Sequence, residues 1–283
     1  MTPRWLLKRT LKWGVEWGSE VSGAGFIYRN SSYFKNGFRI LTYHRITQNP
    51  LDSYSLKTSH FRDHVAFLTD HYPVVSLQEM ALGLQGRSKL EDGSVCVTFD
   101  DGYSEAAGVV GDILTRFKTP ACFFVITGIL DKKAGHSLSG YLEWHEVKEL
   151  KKSGFNIGSH TVTHRSLGTL NGHDVELELK ESYDRLEQEL GTAPDGISYP
   201  YGTLRDFSDG IVRATHKCGY PYAVTAIHGL NHIGCDQFRL NRTTITAGDG
   251  LRTFKMIMKG SLDAWRIVDQ WGYRLQRPSS SLE

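Results

Sequence analysis

The stretch Val95-Cys96-Val97-Thr98-Phe99-Asp100-Asp101-Gly102-Tyr103 decides how the rest of the chain is read. Val95, Val97 and Phe99 alternate as one face of a buried strand, which ends on two adjacent carboxylates and a glycine. Two like charges at the end of a core strand cost on the order of several kcal/mol unless a cation or a proton compensates them. Asp100 and Asp101 therefore point to a metal or a shifted pKa, against the plainer alternative of a solvated Asp-Asp-Gly turn.

Outward from this strand the chain alternates strand and helix. Upstream, FRILTYHRI is an apolar strand ending at Tyr43, His44 and Arg45, followed by Phe61, Val65, Leu68 and Tyr72 at helical spacing. A second strand is expected at Val74, and Ser76 with Glu79 three residues later forms a capping box that opens a helix to Leu84. Downstream, a helix is expected over Glu105 to Phe117, a strand at ACFFVI, a helix from Trp144 closed by Gly154, and a strand at FNIGSH. A long helix stopped by Gly191, strands at Ile197 to Tyr201 and Tyr222 to Ala226, a helix ending at Gly219 and a last strand in FRLNRTTI complete the pattern. Such repeats imply a largely parallel sheet with helices outside it. Any site then sits at the carboxyl ends of the strands, whether the sheet is open or closed into a barrel.

The expected organisation is an amphipathic helical segment over 1–37, a catalytic domain over 38–248 and a helical extension over 249–283. Within Pro3 to Val21, Leu6, Leu7, Leu11, Trp13, Val15, Trp17 and Val21 share a broad apolar face opposite Lys8, Arg9, Lys12 and Glu16. That pattern suits peripheral contact with a membrane, or packing on the protein itself or a second subunit. A net charge of +2 argues against a nucleic-acid partner. Cys96 and Cys122 lie in strand patterns as core thiols, and Cys218 and Cys235 are a pair available for a disulfide only in an exported protein. With no apolar run long enough to span a bilayer and no signal core, a cytoplasmic location is expected.

The strand ends carry His44, Asp100 with Asp101, His160 with His164, and Tyr201. SHTVTH sets two imidazoles four residues apart, so on a helical turn they face the same way and can grip one ion. Two histidines and one carboxylate leave open positions for water and substrate, which suits Zn²⁺ in a hydrolase or Fe²⁺ in an oxygenase. Adjacent aspartates point in different directions, so one can bind the metal while its neighbour reaches the water.

TFDDGY, SHTVTH and SYPYG, in this order and spacing, resemble the three leading motifs of polysaccharide deacetylases with the NodB homology domain, carbohydrate esterase family 4. LTYHRI, PACFFV, EWHEVKELKKSGFNIGSH and the Gly219-Tyr220 helix end are similar too, and the resemblance covers about Arg39 to Ile245. It implies an α/β fold, a distorted (β/α) barrel, in which Asp101, His160 and His164 hold one divalent metal, Zn²⁺ first with Fe²⁺, Ni²⁺ or Co²⁺ as alternatives. It also implies Asp100 as general base, the Tyr201 backbone amide as a donor to the oxyanion, and removal of N-acetyl groups from an amino-sugar glycan, releasing acetate.

Two departures stand out. Ser198 occupies the place of a base-orienting arginine, and the late leucine-x-histidine motif that supplies the acid is missing. Both resemble the circularly permuted branch of the family, which implies that His44 is the acid, with His228 and His232 ranked after it. Arg239 and Arg242 are the candidates to replace the arginine. The alternative functions are a non-catalytic glycan-binding module on this fold and an iron oxygenase using the same three ligands.

Overall fold

The computed structural model describes residues 14, 23–50, 52–132, 140–264 and 266. Apart from Gly14, the amphipathic stretch expected over Pro3 to Val21 lies outside the described residues. In chain order the elements are α1 (Ala24–Asn30), α2 (Ser32–Lys35), β1 (Arg39–Tyr43), β2 (Ile46–Thr47), β3 (Leu56–Lys57), α3 (Thr58–His71), α4 (Leu77–Leu84), β4 (Val95–Phe99), α5 (Val109–Arg116), β5 (Cys122–Val125) and α6 (Thr127–Leu130). They continue with α7 (Trp144–Lys152), β6 (Asn156–Ser159), α8 (Gly172–Leu190), β7 (Ile197–Ser198), α9 (Asp209–Lys217), β8 (Ala223–Val224), β9 (Thr243–Thr244) and α10 (Leu251–Met258).

Seven strands form one parallel sheet in the order β8-β7-β6-β5-β4-β1-β9, with Arg39 to Tyr43 in register with Val95 to Phe99. The sheet curls far enough for one late segment to touch both edges. Leu240 bridges Val224 beside β8, the Arg242 amide donates to the Ile227 carbonyl, and Thr243 and Thr244 then pair with Leu41 and Thr42 of β1.

The period-two alternation of the strands sorts the core into two faces. Leu41, Tyr43, Val97, Phe99, Phe123 and Val125 face outward into one apolar cluster with Phe61, Val65 and Leu68 of α3, Ile113 and Leu114 of α5, and Val147 and Leu150 of α7. Ile40, Cys96, Cys122, Phe124, Val224 and Leu240 turn the other way and meet Leu77, Met80 and Leu84 of α4. Above that apolar layer the same face carries Thr42, Thr98 and Asp100, all buried.

The helix signals hold in detail. Ser76 and Glu79 form the capping box of α4, with the Ser76 amide donating to Glu79 Oε2 at 2.8 Å. Gly191 ends α8 at φ 69°. The strands are shorter than their apolar runs suggest. Val74 makes one bridge to Val95 and no strand, while Ile197 to Tyr201 keeps only β7 before Tyr201 turns to φ 61°. The helix expected from Glu105 begins at Val109, after a 3₁₀ turn over Ser104–Ala106. All four cysteines are unpaired, including Cys218 and Cys235. Among the described residues, no helix is long and apolar enough to cross a membrane.

His64 of α3 lies in the seam with α10, its ring stacked on Phe254 at 3.9 Å and 7° and its Nδ1 3.3 Å from the Tyr43 hydroxyl. Burial first, and His60 second, push its pKa down to about 3. Because this lies below the unfolded value of about 6.5, the fold favours the neutral ring, and that stabilisation is lost as pH falls from about 6.5 towards 3. From pH 7.5 to 5 the group should remove about 2 kcal/mol. His64→Gln is expected to be less stable at pH 7.5 yet to lose less over the same interval. Urea unfolding at both pH values checks this, and equal losses would reject it.

Candidate active site

Three turns following strands build the site. β4 runs straight into Asp100 and Asp101, and Asp101 adopts φ 72° with Gly102 at φ 73°. Neighbouring side chains thus leave the strand end in different directions, Asp100 into the barrel and Asp101 towards β6. After β6, His160 to His164 forms an open loop, with Thr161 and His164 at φ 65° and 60°. The helical turn expected for this pair is absent. The two left-handed residues instead fold the loop back so that the imidazole rings stand 4.8 Å apart.

Glu178, which is buried, holds that loop. Its Oε2 accepts from the amides of Val162 and Thr163, each at 2.9 Å, and its Oε1 accepts from the Thr163 hydroxyl. Sequence reasoning passed over this residue. The available signal was a carboxylate on the buried face of α8, in line with Val175, Leu179, Ser182 and Leu186. A second clamp comes from Gly128, whose amide donates to the Val162 carbonyl at 2.9 Å. A β-carbon there would stand 2.4 Å from that oxygen, so the approach requires glycine.

Asp101 Oδ1 lies 3.4 Å from both His160 Nε2 and His164 Nε2. This oxygen is buried and, among the described residues, has no hydrogen-bond partner. Two atoms that each ligate a tetrahedral ion at about 2.0–2.1 Å are about 3.3–3.4 Å apart, so the spacing is that of ligands sharing one ion. These are also the residues whose ligand atoms cluster closely enough for a metal among the described residues. His160 Nδ1–H donates to the Ser198 carbonyl at 2.7 Å, which leaves Nε2 as the atom available to an ion. Burial followed by repulsion from His160 pushes His164 down to about 4, so its lone pair is free at neutral pH. Burial would lower His160 too, but Asp100, Asp101 and the Ser198 carbonyl outweigh it and raise its pKa.

Asp100 is held by a different network. Arg242 donates from Nη1 to Asp100 Oδ1 at 2.8 Å and from Nη2 to Oδ2 at 2.6 Å, and the Ser198 hydroxyl donates to Oδ2 at 3.1 Å. Burial pushes this carboxyl up, but the Arg242 guanidinium and then His160 outweigh it and hold the group well below the usual carboxylate range. Of the two arginine candidates, the structure brings only Arg242 to the site. Arg239 is taken up by Asp209 and Asp236 at the surface. His44 stands at the carboxyl end of β1, against Tyr54 at 4.9 Å. His228 binds Asp263 at 3.0 Å and His232 approaches the Tyr33 carbonyl at 2.8 Å, both away from the triad. The Tyr201 ring packs 4.9 Å from His164.

A curled parallel sheet with an Asp-His-His cluster and a second, arginine-held aspartate at its carboxyl end is the architecture of a NodB-type (β/α) barrel. The family model described as polysaccharide deacetylase matches residues 87–223 of the chain. Its relatives include YxkH of Bacillus subtilis (strain 168), whose name places it among polysaccharide deacetylases; it is 27% identical over 210 residues, 74% of this chain and 71% of that one. The poly-beta-1,6-N-acetyl-D-glucosamine N-deacetylase of Staphylococcus aureus (strain MRSA252) is 24% identical over 213 residues, 67% of this chain and 72% of that one. The fold is shared with the Streptococcus pyogenes deacetylase PplD in complex with acetate, at a TM-score of 0.71, 23% identity and coverage of 79% and 99%.

Removing one partner of a buried, bidentate ion pair leaves an unmatched charge and costs about 3–5 kcal/mol. Arg242→Ala is therefore expected to lose about that much unfolding free energy. Urea denaturation of the metal-free protein measures it, and a loss below about 1 kcal/mol would mean that Asp100 is satisfied without Arg242.

Proposed function

We propose that the protein is a metal-dependent hydrolase that removes N-acetyl groups from amino sugars of a polysaccharide or lipid-linked glycan. The observation that carries this reading is the division of labour between adjacent aspartates: Asp101 faces two histidines and Asp100 is fixed by Arg242. Asp101 Oδ1, His160 Nε2 and His164 Nε2 would hold the ion, and a set of two nitrogens and one oxygen favours Zn²⁺, with Fe²⁺, Ni²⁺ and Co²⁺ also accommodated. Bound there, a divalent ion supplies Lewis acidity for the acyl carbonyl and lowers the pKa of water.

Asp100 takes the proton from the attacking water, and its two hydrogen bonds to Arg242 fix the carboxylate for that transfer. The Tyr201 amide, in the left-handed turn after β7, donates to the developing oxyanion. His44 protonates the leaving amine. The iron-oxygenase alternative leaves Asp100 and Arg242 without a task, and a purely glycan-binding module has no use for the ligand cluster.

Poly-β-1,6-N-acetyl-D-glucosamine is the first substrate to test, because the Staphylococcus aureus relative is named for it. We place the protein in the cytoplasm at the inner membrane face. The amphipathic amino-terminal sequence supports this, as do Phe26 and Ile27 of α1, which are 67% and 72% exposed.

Asp100→Asn should retain the parent's metal content and release acetate at least ~100-fold more slowly. Acetate assays and metal analysis on the same samples test this, and unchanged turnover would remove the base role. A protein lacking residues 1–37 should keep its fold by circular dichroism but no longer float with anionic liposomes. Equal flotation with and without the segment would reject membrane contact.

A further inference from the structure

Beside the metal-ligand cluster, on the side of His44, a narrow cavity of about 10 Å³ runs behind Asp100. That is room for about one water molecule. Its inner wall is apolar, made by Phe99, Val110 and Phe123, and such a space stays dry unless polar atoms face it. Two residues that line it carry the needed atoms. Among the described residues, His44 Nδ1 and Glu105 Oε2 are each buried and without a hydrogen-bond partner. Glu105 is not free to turn towards another partner. Its Oε1 accepts from Arg45 Nε at 2.9 Å, and the Arg45 guanidinium in turn lies 5.3 Å over the Tyr103 ring. One carboxylate oxygen is committed to the residue next to His44, and the other is left at the cavity.

We propose that one water held in this cavity links His44 Nδ1 to Glu105 Oε2, and that Glu105 is thereby the positioning residue for His44. The inference rests on the reading of His44 as the proton donor to the leaving amine. The hydrogen-bond count closes in both protonation states. As imidazolium, His44 donates from Nδ1–H to the water oxygen, and the water donates one proton to the Glu105 carboxylate. After Nε2 has given its proton to the amine, the Nδ1–H bond to the water is unchanged, so the ring keeps its orientation and the correct tautomer. The carboxylate balances the positive charge that the ring carries before transfer. Glu105 touches neither substrate nor metal and acts only through the water.

The test is a double-mutant cycle on the metal-loaded full chain, with a chitooligosaccharide and a β-1,6-linked N-acetylglucosamine oligomer as probes. Glu105→Gln is expected to lower kcat about 10-fold with KM within about 2-fold, and to change kcat less than about 2-fold when His44 is already Asn. Ala106→Val, which fills the cavity, should reproduce the same pattern if the water is what matters. Equal losses in the wild-type and His44→Asn backgrounds would overturn the inference while leaving His44 as the acid. A wild-type rate in His44→Asn would instead reject the acid reading beneath it. Independently of turnover, a high-resolution crystal structure of the metal-loaded protein should show a water within hydrogen-bond distance of both atoms. An empty cavity, or a direct contact of Glu105 Oε2 to another group, would overturn the link.

Discussion

The buried pair of Asp100 and Arg242 is the constraint on which the rest of the molecule depends. A carboxylate at the end of a core strand loses its water, and Arg242 replaces it with two parallel charge-assisted hydrogen bonds. The same guanidinium donates to the Thr225 carbonyl at 2.7 Å, to Thr42 and Thr98 hydroxyls at 3.1 and 3.2 Å, and to the Ser198 hydroxyl at 2.8 Å. One side chain therefore satisfies groups on β1, β4, β7 and the segment after β8. A curled sheet with a polar layer inside needs such a hub, because each unmatched donor or acceptor there would cost about 1–3 kcal/mol.

Around this hub the backbone is held in conformations that side chains seldom adopt. Asp101, Thr161, His164 and Tyr201 all have positive φ. Each such residue costs on the order of 1–3 kcal/mol and persists where its surroundings over-determine it. Here the surroundings are identifiable. Glu178 and Gly128 grip the loop between the two histidines, and the Ser198 carbonyl sets the tautomer of His160. The outcome is a cluster of Asp101, His160 and His164 whose geometry is set in advance by the surrounding fold.

Much of this was legible in the sequence, for physical reasons that can be named. The strand ending in Asp100 and Asp101, the capping box at Ser76 and Glu79, and the glycine stop at Gly191 are local signals, and local signals survive folding. The sheet as a largely parallel array followed from repeated β-α units. The loop between His160 and His164 was misread because a four-residue spacing does not distinguish a helical turn from a chain bent by two left-handed residues. Arg242 could not be separated from Arg239 by sequence, since only the curl of the sheet decides which of two nearby arginines turns inward. Glu178 and Glu105 were missed because the one holds backbone amides and the other pairs with Arg45, and neither leaves a motif of its own.

The segment that touches both sheet edges also has a bearing on how the protein is made. Arg242 follows its partner Asp100 by 142 residues and immediately precedes β9, the last strand of the sheet. At a synthesis rate of about 5–20 residues per second, Asp100 waits roughly 7–30 s for its counter-charge. Until then β4 carries an unmatched carboxylate, and neither β1 nor β8 has its final neighbour. The early half of the barrel is thus kept from settling into a finished core before the late half exists, and release of an unfinished chain exposes two open parallel edges to degradation or aggregation.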